Sequence, residues 1–446
     1  MSQHISNSNK WLPKLVVCLR NYSRQDFLAD LIAGLTVGLV ALPLVMAFGI
    51  TSGATPQSGI YTAVMAGFII LALGSSRTQI GGPTGAFVVI VADIIIKFGF
   101  SGLLMVTMMA GVILVIMEVT GLGTAVKFIP RPVIIGFTNG IALLIASTQI
   151  KGFLGLETLD APSEFAEHIA MLWAYIDTIN LPTVLMASAS LAVILLFPHL
   201  NKRIPGLIVA LFLSTALATA FNLPIETIGS KFGDIPTGLP TLATPAFQSD
   251  LIIPLLPSAL TVALLAAVEG LLSAVVADGM SGDKHNSNAE LIAQGVANLA
   301  TPLAGRIPAT GAIARTATNI RSGAKTLIAG IIHALTLLLI LLVAVPLVRF
   351  IPLAVLAAVL FVVAYNMGEW KEIRVIMRLS RTDQAAWITT FSLTVLADLT
   401  VAVAVAVAVA VAVAVAVAVA VAVGIVLAVL LYIYRVSQTT SVYTVT

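Results

Sequence analysis

Charge is what this sequence has least of. Only 10% of its 446 residues are Asp, Glu, Lys or Arg, against about 25% in an average soluble domain. With 59% apolar residues and a mean hydropathy of +1.07, a soluble protein is excluded. The net charge of +3 is too small for this length to argue for nucleic acid. A single cysteine, Cys18, excludes an intrachain disulfide and a cysteine metal site. No nucleophile and base pair and no cofactor motif stands out, so nothing points to an enzyme and none of the usual cofactors is expected. Asp283-Lys284-His285-Asn286-Ser287-Asn288 holds too few ligands for a metal and reads as a helix-capping turn. Ser322-Gly323-Ala324-Lys325-Thr326 imitates the end of a phosphate-binding loop, but the upstream glycine spacing and strand are missing. The leader, with Lys10, Lys14, Arg20 and Arg24, lacks the apolar core of a signal peptide. Asn21-Tyr22-Ser23 is a formal glycosylation sequon, without meaning if the leader is cytoplasmic.

What the chain has in abundance is apolar runs of membrane-spanning length, which make it an all-α polytopic membrane protein embedded in a lipid bilayer. Spans are expected near 31–50, 59–75, 84–98, 102–120, 131–150, 181–198 and 205–221. A second set follows near 254–276, 289–304, 310–320, 326–347, 351–366, 384–399 and 401–433. Loops on one side carry Lys127, Arg131, Lys202, Arg203, Lys284, Arg321, Lys325, Lys371, Arg374, Arg378 and Arg381. The other side carries Lys97, Lys151, Lys231 and Arg349. This positive-inside bias puts both termini in the cytoplasm of a multi-pass inner or plasma membrane protein. The resulting division is a leader 1–30, a first repeat 31–222, a second repeat 254–433 and a tail 434–446. Residues 401–423 alternate Val and Ala without interruption; in lipid such a run is expected as a helix, with no register assigned.

Two stretches interrupt the apolar runs with the same grammar. Gly81-Gly82-Pro83-Thr84-Gly85-Ala86-Phe87 and Ile307-Pro308-Ala309-Thr310-Gly311-Ala312 each place a proline ahead of Thr-Gly-Ala and a new apolar helix. Proline disfavours helix in the residue before it, and a helix beginning at Thr84 or Thr310 leaves its first amides without partners. Such ends attract anions. Leu35-Thr36-Val37-Gly38-Leu39 resembles Leu260-Thr261-Val262-Ala263-Leu264 at nearly the same separation. Seven segments per half is odd, so two such halves enter the membrane in opposite senses, as an inverted repeat. The alternative is a pair of re-entrant loops or packing kinks.

Glu269, in mid-span, is costly there unless protonated, paired or hydrated, which makes it a functional candidate. Ser273, one turn on, shares its face and could share a proton or cation such as Na⁺. The alternative is an acid held neutral for packing. Arg315 adds positive charge beside the second helix start, or else snorkels toward the cytoplasm. Asp93 and Glu118 are also intramembrane, either paired with lysine or lining a pathway.

Pro56-Gln57-Ser58-Gly59-Ile60-Tyr61, the two Thr-Gly-Ala breaks, Ser273-Ala274-Val275-Val276-Ala277-Asp278 and Asn288-Ala289-Glu290-Leu291-Ile292-Ala293-Gln294-Gly295 occur in an order that resembles the sulfate permease (SulP) family. The resemblance runs from about Asp26 to Asp398. It implies fourteen segments as a 7+7 inverted repeat of the uracil permease type, with a core (spans 1–4 and 8–11) moving against a gate (5–7 and 12–14). It also implies an anion held by Gly85, Ala86, Phe87, Gly311, Ala312, Ile313 and Ala314, with Arg315 beside it and Glu269 coupling a cation. Family members usually carry a C-terminal STAS domain, and the 434–446 tail is expected without one. The implied protein is a homodimer that carries small inorganic or carboxylate anions by an elevator-type movement. Sulfate with H⁺ is expected first and bicarbonate with Na⁺ second, with an uncoupled channel, exchanger or voltage-responsive motor as the contrasting class.

Overall fold

Hydrocarbon offers a backbone no hydrogen-bonding partners, so a chain this apolar satisfies its amides within each segment and folds into helices. The computed structural model describes Lys14, Cys18, residues 22–120, 130–158, Pro162, 164–201, 205–233, 247–397, Val405 and Ala408. Among these, seven helices are long and apolar enough to cross a bilayer. The principal helices are α1 (Arg24–Thr51), α2 (Pro56–Leu73), α3 (Ala86–Val119), α4 (Arg131–Leu154), α5 (Leu181–Leu200) and α6 (Gly206–Ala220). They continue as α7 (Ile252–Ser281), α8 (Ser287–Ala300), α9 (Ile313–Arg321), α10 (Ile328–Val343), α11 (Leu353–Met367) and α12 (Arg381–Leu396). Every expected span up to Leu396 meets one of them, and the expected spans 84–98 and 102–120 are the two legs of α3, broken at Gly99 (φ +70°). Apart from Val405 and Ala408, the Val-Ala run, the last span 401–433 and the 434–446 tail lie outside the described residues. So do Asn21 and the loop cations Lys127, Lys202 and Arg203.

One expectation is corrected. Neither Thr84 nor Thr310 opens a helix: α3 begins at Ala86 and α9 at Ile313. Gly81–Gly82 (β1) and Thr310–Gly311 (β2) are extended instead and pair antiparallel, Gly81 opposite Gly311 and Gly82 opposite Thr310. The reason is the cost of an unpaired extended backbone in a low-dielectric interior, several kcal/mol per group. Two breaks that pair with each other remove that cost together.

The helices pack in two groups. α1, α2, α3, α7, α8 and α10 lie against one another, with α9 on α7 and α1, and this group holds the strand pair; α4, α5, α11 and α12 form the other, with α6 on α5. Small residues and β-branched side chains let the first group close around a core that includes Val45, Ile60, Val91, Leu103 and Val262, all essentially buried.

At the end where α1 starts, the imitation of a phosphate loop finds a carboxylate. Asp30 of α1, fully buried, accepts from the amides of Lys325 (2.6 Å) and Thr326 (3.0 Å) and from the hydroxyls of Thr326 (2.5 Å) and Tyr22 (3.0 Å). Burial and that carboxylate push the Tyr22 phenol above its ordinary range, which keeps it a donor. Cys18 packs against Leu71 and Leu327 nearby. The turn before α8 does cap it: the Asn286 side chain accepts from the Asn288 amide at 3.0 Å, and Lys14 pairs with Asp283 at 2.9 Å. Asp30→Ala strands two amides and two hydroxyls. At about 1–3 kcal/mol for each buried group left unpaired, it is expected to lower the melting temperature of the detergent-purified protein well below that of Asp30→Asn. Equal melting of Asp30→Ala and the unaltered chain would contradict this role.

Candidate functional site

The site is built on β1 and β2. Outside the two-residue ladder, the Ala312 amide donates to the Ile80 carbonyl at 2.8 Å, and the Ile80 amide donates to the Thr316 hydroxyl at 3.0 Å. Side chains from α8, α9, β2 and the segment before β1 then hold the breaks. Asn298 of α8 brackets Ala309, accepting from its amide (2.9 Å) and donating to its carbonyl (2.7 Å). The Thr310 hydroxyl donates to the Ala266 carbonyl at 2.7 Å, and Asn319 of α9 donates to the Thr78 carbonyl at 2.9 Å. Gln79 donates to the Gly270 carbonyl at 2.9 Å. Two glycines are required by space. A methyl on Gly311 would overlap the Gln79 amide nitrogen, and one on Gly82, whose φ is +142°, would stand 2.8 Å from Arg315 Nη1.

Both helices that leave the strand pair start without a side-chain cap. The Phe87 and Val88 amides already donate to Thr84 and Gly85 carbonyls, and Thr316 donates to Ala312. What remains is the first-turn amides of Gly85 and Ala86 at one end and of Ile313, Ala314 and Arg315 at the other. Each end carries a partial positive charge that favours an anion. Of the expected contact residues, Gly85, Ala86, Phe87, Gly311 and Ala312 are buried, while Ile313 and Ala314 are exposed. The space beside Gly85 is walled by Phe48 of α1, Ile145 of α4 and Met367 of α11, all within 3.6 Å of where a methyl would sit.

The charged groups converge on the same place. Partly accessible Glu269 of α7 accepts from the Thr84 hydroxyl at 2.5 Å. Arg315 is 3% exposed and lies within electrostatic reach of Glu269; its Nη2 donates to the Pro83 carbonyl. Ser273, on the face of Glu269, engages Thr316 at 3.0 Å and so belongs to the bracing of the strands. Asp93 pairs with Lys97 at 2.9 Å within α3, and Glu118 is buried near the end of that helix. Thr84 as partner of the acid, Gln79, Asn298, Thr316 and Asn319 went unnoticed in the sequence. The available signal was polar residues three or four apart on one helical face in apolar surroundings, as with Gln294 and Asn298 or Thr316 and Asn319.

A cavity of about 1140 Å³ separates the two helix groups, lined by Ala47, Val88, Leu144 and Ala357, with Lys151 and Lys231 among its polar walls. It reaches the first turn of α3 through Val88. Burial pushes the imidazole of His168, also in its wall, below the ordinary histidine range.

Residues 27–390 match the model of the sulfate permease family. The chain belongs to the sulfate permease family. It is 46% identical over 385 residues to "Putative sulfate transporter YvdB" of Bacillus subtilis, covering 86% of this chain and 73% of that one. It is 34% identical to the bicarbonate transporter BicA of Picosynechococcus, covering 84% and 68%. The solved transmembrane domain of a cyanobacterial BicA superposes with a TM-score of 0.77 at 32% identity, over 86% of this chain and 98% of that one. Murine Slc26a9 in an inward-facing state shares the fold, with a TM-score of 0.83 at 19% identity over 93% and 72%. This member of the family is therefore an integral multi-pass membrane protein of the 7+7 inverted-repeat elevator fold, a secondary active anion transporter and not an enzyme. Among the described residues, no cluster of three or more His, Cys, Asp or Glu side chains is arranged to hold a metal ion.

Thr84→Val keeps the volume of the side chain but removes the donor to Glu269. A hydrogen bond to a charged group is worth about 1.5–3 kcal/mol, so anion uptake into proteoliposomes is expected to fall about tenfold or more, with Thr84→Ser close to the unaltered chain. Equal uptake by Thr84→Val would remove Thr84 from the site. Gly311→Ala is expected to be less stable by about 1–3 kcal/mol through overpacking, whereas Gly279→Ala, with nothing among the described residues within 4 Å of its added methyl, is not.

Proposed function

We propose that this protein is a sulfate–H⁺ symporter working by an elevator movement. The observation that carries the reading is Glu269 and Arg315 within electrostatic reach of each other, beside two uncapped helix ends. The anion sits against Gly85, Ala86 and Phe87 on one side and Gly311, Ala312, Ile313 and Ala314 on the other, drawn by both helix ends and by Arg315. While Glu269 is ionised, its charge offsets Arg315 and repels the anion. Protonation of Glu269 removes both effects, so proton and anion bind together; in a low-dielectric site such a single charge is worth several kcal/mol.

Sulfate is favoured over bicarbonate by the 46% identity to the relative named as a sulfate transporter. The second reading is Na⁺-dependent bicarbonate symport, with Na⁺ near Glu269 and Ser273, and it rests on the likeness to BicA in both sequence and fold. In either case α1–α3 and α7–α10 form the moving core, and α4–α6, α11 and α12 the gate. The repeats are 31–222 and 254–433, the leader 1–30 and tail 434–446 are cytoplasmic, and the chain works as a homodimer. The cavity between the helix groups is the anion's entrance from the outer side.

The test is uptake of labelled sulfate and of labelled bicarbonate into proteoliposomes under a pH gradient or a Na⁺ gradient, imposed separately. Sulfate is expected to accumulate with an inward H⁺ gradient and to ignore Na⁺. Glu269→Gln is expected to abolish that gradient dependence, and Arg315→Ala to raise the KM for sulfate. Bicarbonate accumulating with Na⁺ would establish the second reading, and indifference to both gradients would establish an uncoupled path.

A further inference from the structure

His333 of α10 takes no part in the mechanism above, yet its surroundings are unusual. It is fully buried, and among the described residues neither ring nitrogen has a hydrogen-bond partner. Arg315 Nη1 is likewise buried and without a partner among the described residues, and the guanidinium lies within electrostatic reach of the His333 ring. The packing leads to the same place. One turn before His333, a methyl on Gly330 would meet Leu71 of α2, and the His333 carbonyl is 3.4 Å from where a methyl on Gly38 of α1 would sit. Further along α2, Ala63 and Gly67 back the strand pair, with Ala63 and Arg315 Nη1 meeting at Gly82. α10 thus packs against both α1 and α2 at the level of His333, and α2 in turn backs the strand pair.

Each buried polar atom left unpaired costs about 1–3 kcal/mol. A protonated imidazole beside a guanidinium would add like-charge repulsion. A neutral imidazole has one nitrogen that accepts and one that donates, and Arg315 Nη1 has protons to give. The two are buried and polar, lie within electrostatic reach and, among the described residues, leave these nitrogens without a hydrogen-bond partner, which is the setting of an ordered internal water.

We propose that His333 is a positioning residue for Arg315: its unprotonated ring nitrogen accepts, through one ordered water, the proton that Arg315 Nη1 offers. Arg315 is then held from two directions, by the Pro83 carbonyl at Nη2 and by His333 at Nη1, so its charge stays at the strand pair. The functional consequence rests on the reading of Arg315 as the charge that attracts the anion. Proton coupling, which belongs to Glu269, is left intact when His333 is lost.

Two measurements test this. The first is a double-mutant cycle in the melting temperature of the detergent-purified chain, with His333→Leu, Arg315→Met and both together. Either single change is expected to remove the whole interaction, so the double variant melts no lower than the worse single one. Additive losses would overturn the proposal. Should His333→Leu fail to fold, His333→Met, without a comparable acceptor, takes its place in the cycle. The second is sulfate uptake: His333→Leu is expected to raise KM about tenfold, the equivalent of one hydrogen bond of about 1.4 kcal/mol, with the pH-gradient dependence unchanged. His333→Gln, which keeps an acceptor, is expected to restore most of the affinity. An unchanged KM in His333→Leu, or no rescue by His333→Gln, would overturn the proposal. The melting cycle needs no transport; if the unaltered chain takes up no sulfate, the sulfate reading fails and the cycle alone decides the role of His333.

Discussion

The constraint from which the rest of this structure follows is that an interrupted helix inside a membrane must find partners for its freed backbone. Here each interruption is the other's partner. β1 and β2 satisfy one another across the middle of the core, and the two helices that leave them begin from a common point with uncapped amides. The positive character of both helix ends is thus a by-product of backbone satisfaction: what pairing leaves over is positive in sign at each.

A pair of two-residue strands is too short to hold itself. Asn298, Thr310, Thr316 and Asn319 supply the remaining bonds from α8, α9 and β2, and Gly82 and Gly311 leave room for Arg315 and Gln79. The acid and the guanidinium are fastened to the same scaffold, Glu269 through Thr84 and Arg315 through the Pro83 carbonyl. A core built this way can move as one body against α4, α5 and α11 and carry its electrostatics with it, as an elevator requires.

The helices were legible because their apolar runs are long and their breaks carry proline. The pairing of the halves was legible because Thr-Gly-Ala recurs in both. Two-residue strands were not, since Thr310 and Gly311 satisfy helix-start and strand rules equally, and only a partner distant in sequence decides between them. Glu269 stood out as a charge in an apolar run, whereas Thr84, Thr316 and Asn319 are polar residues of a kind common in membrane helices. Their roles depend on which carbonyl or carboxylate they meet. Asp30 illustrates the same limit: it looks like the last polar residue of a leader, and only the fold brings the Lys325 and Thr326 amides to it.

Where an anion comes to rest decides the mechanism. The most direct measurement is a structure of the protein with selenate, a sulfate analogue whose selenium is located by its anomalous scattering. The expected position is between the first-turn amides of α3 and α9, beside Gly85 and Ile313 and on the side of Arg315. Selenate held instead at Lys151 or Lys231 in the cavity wall, with nothing between the two helix ends, would contradict the account.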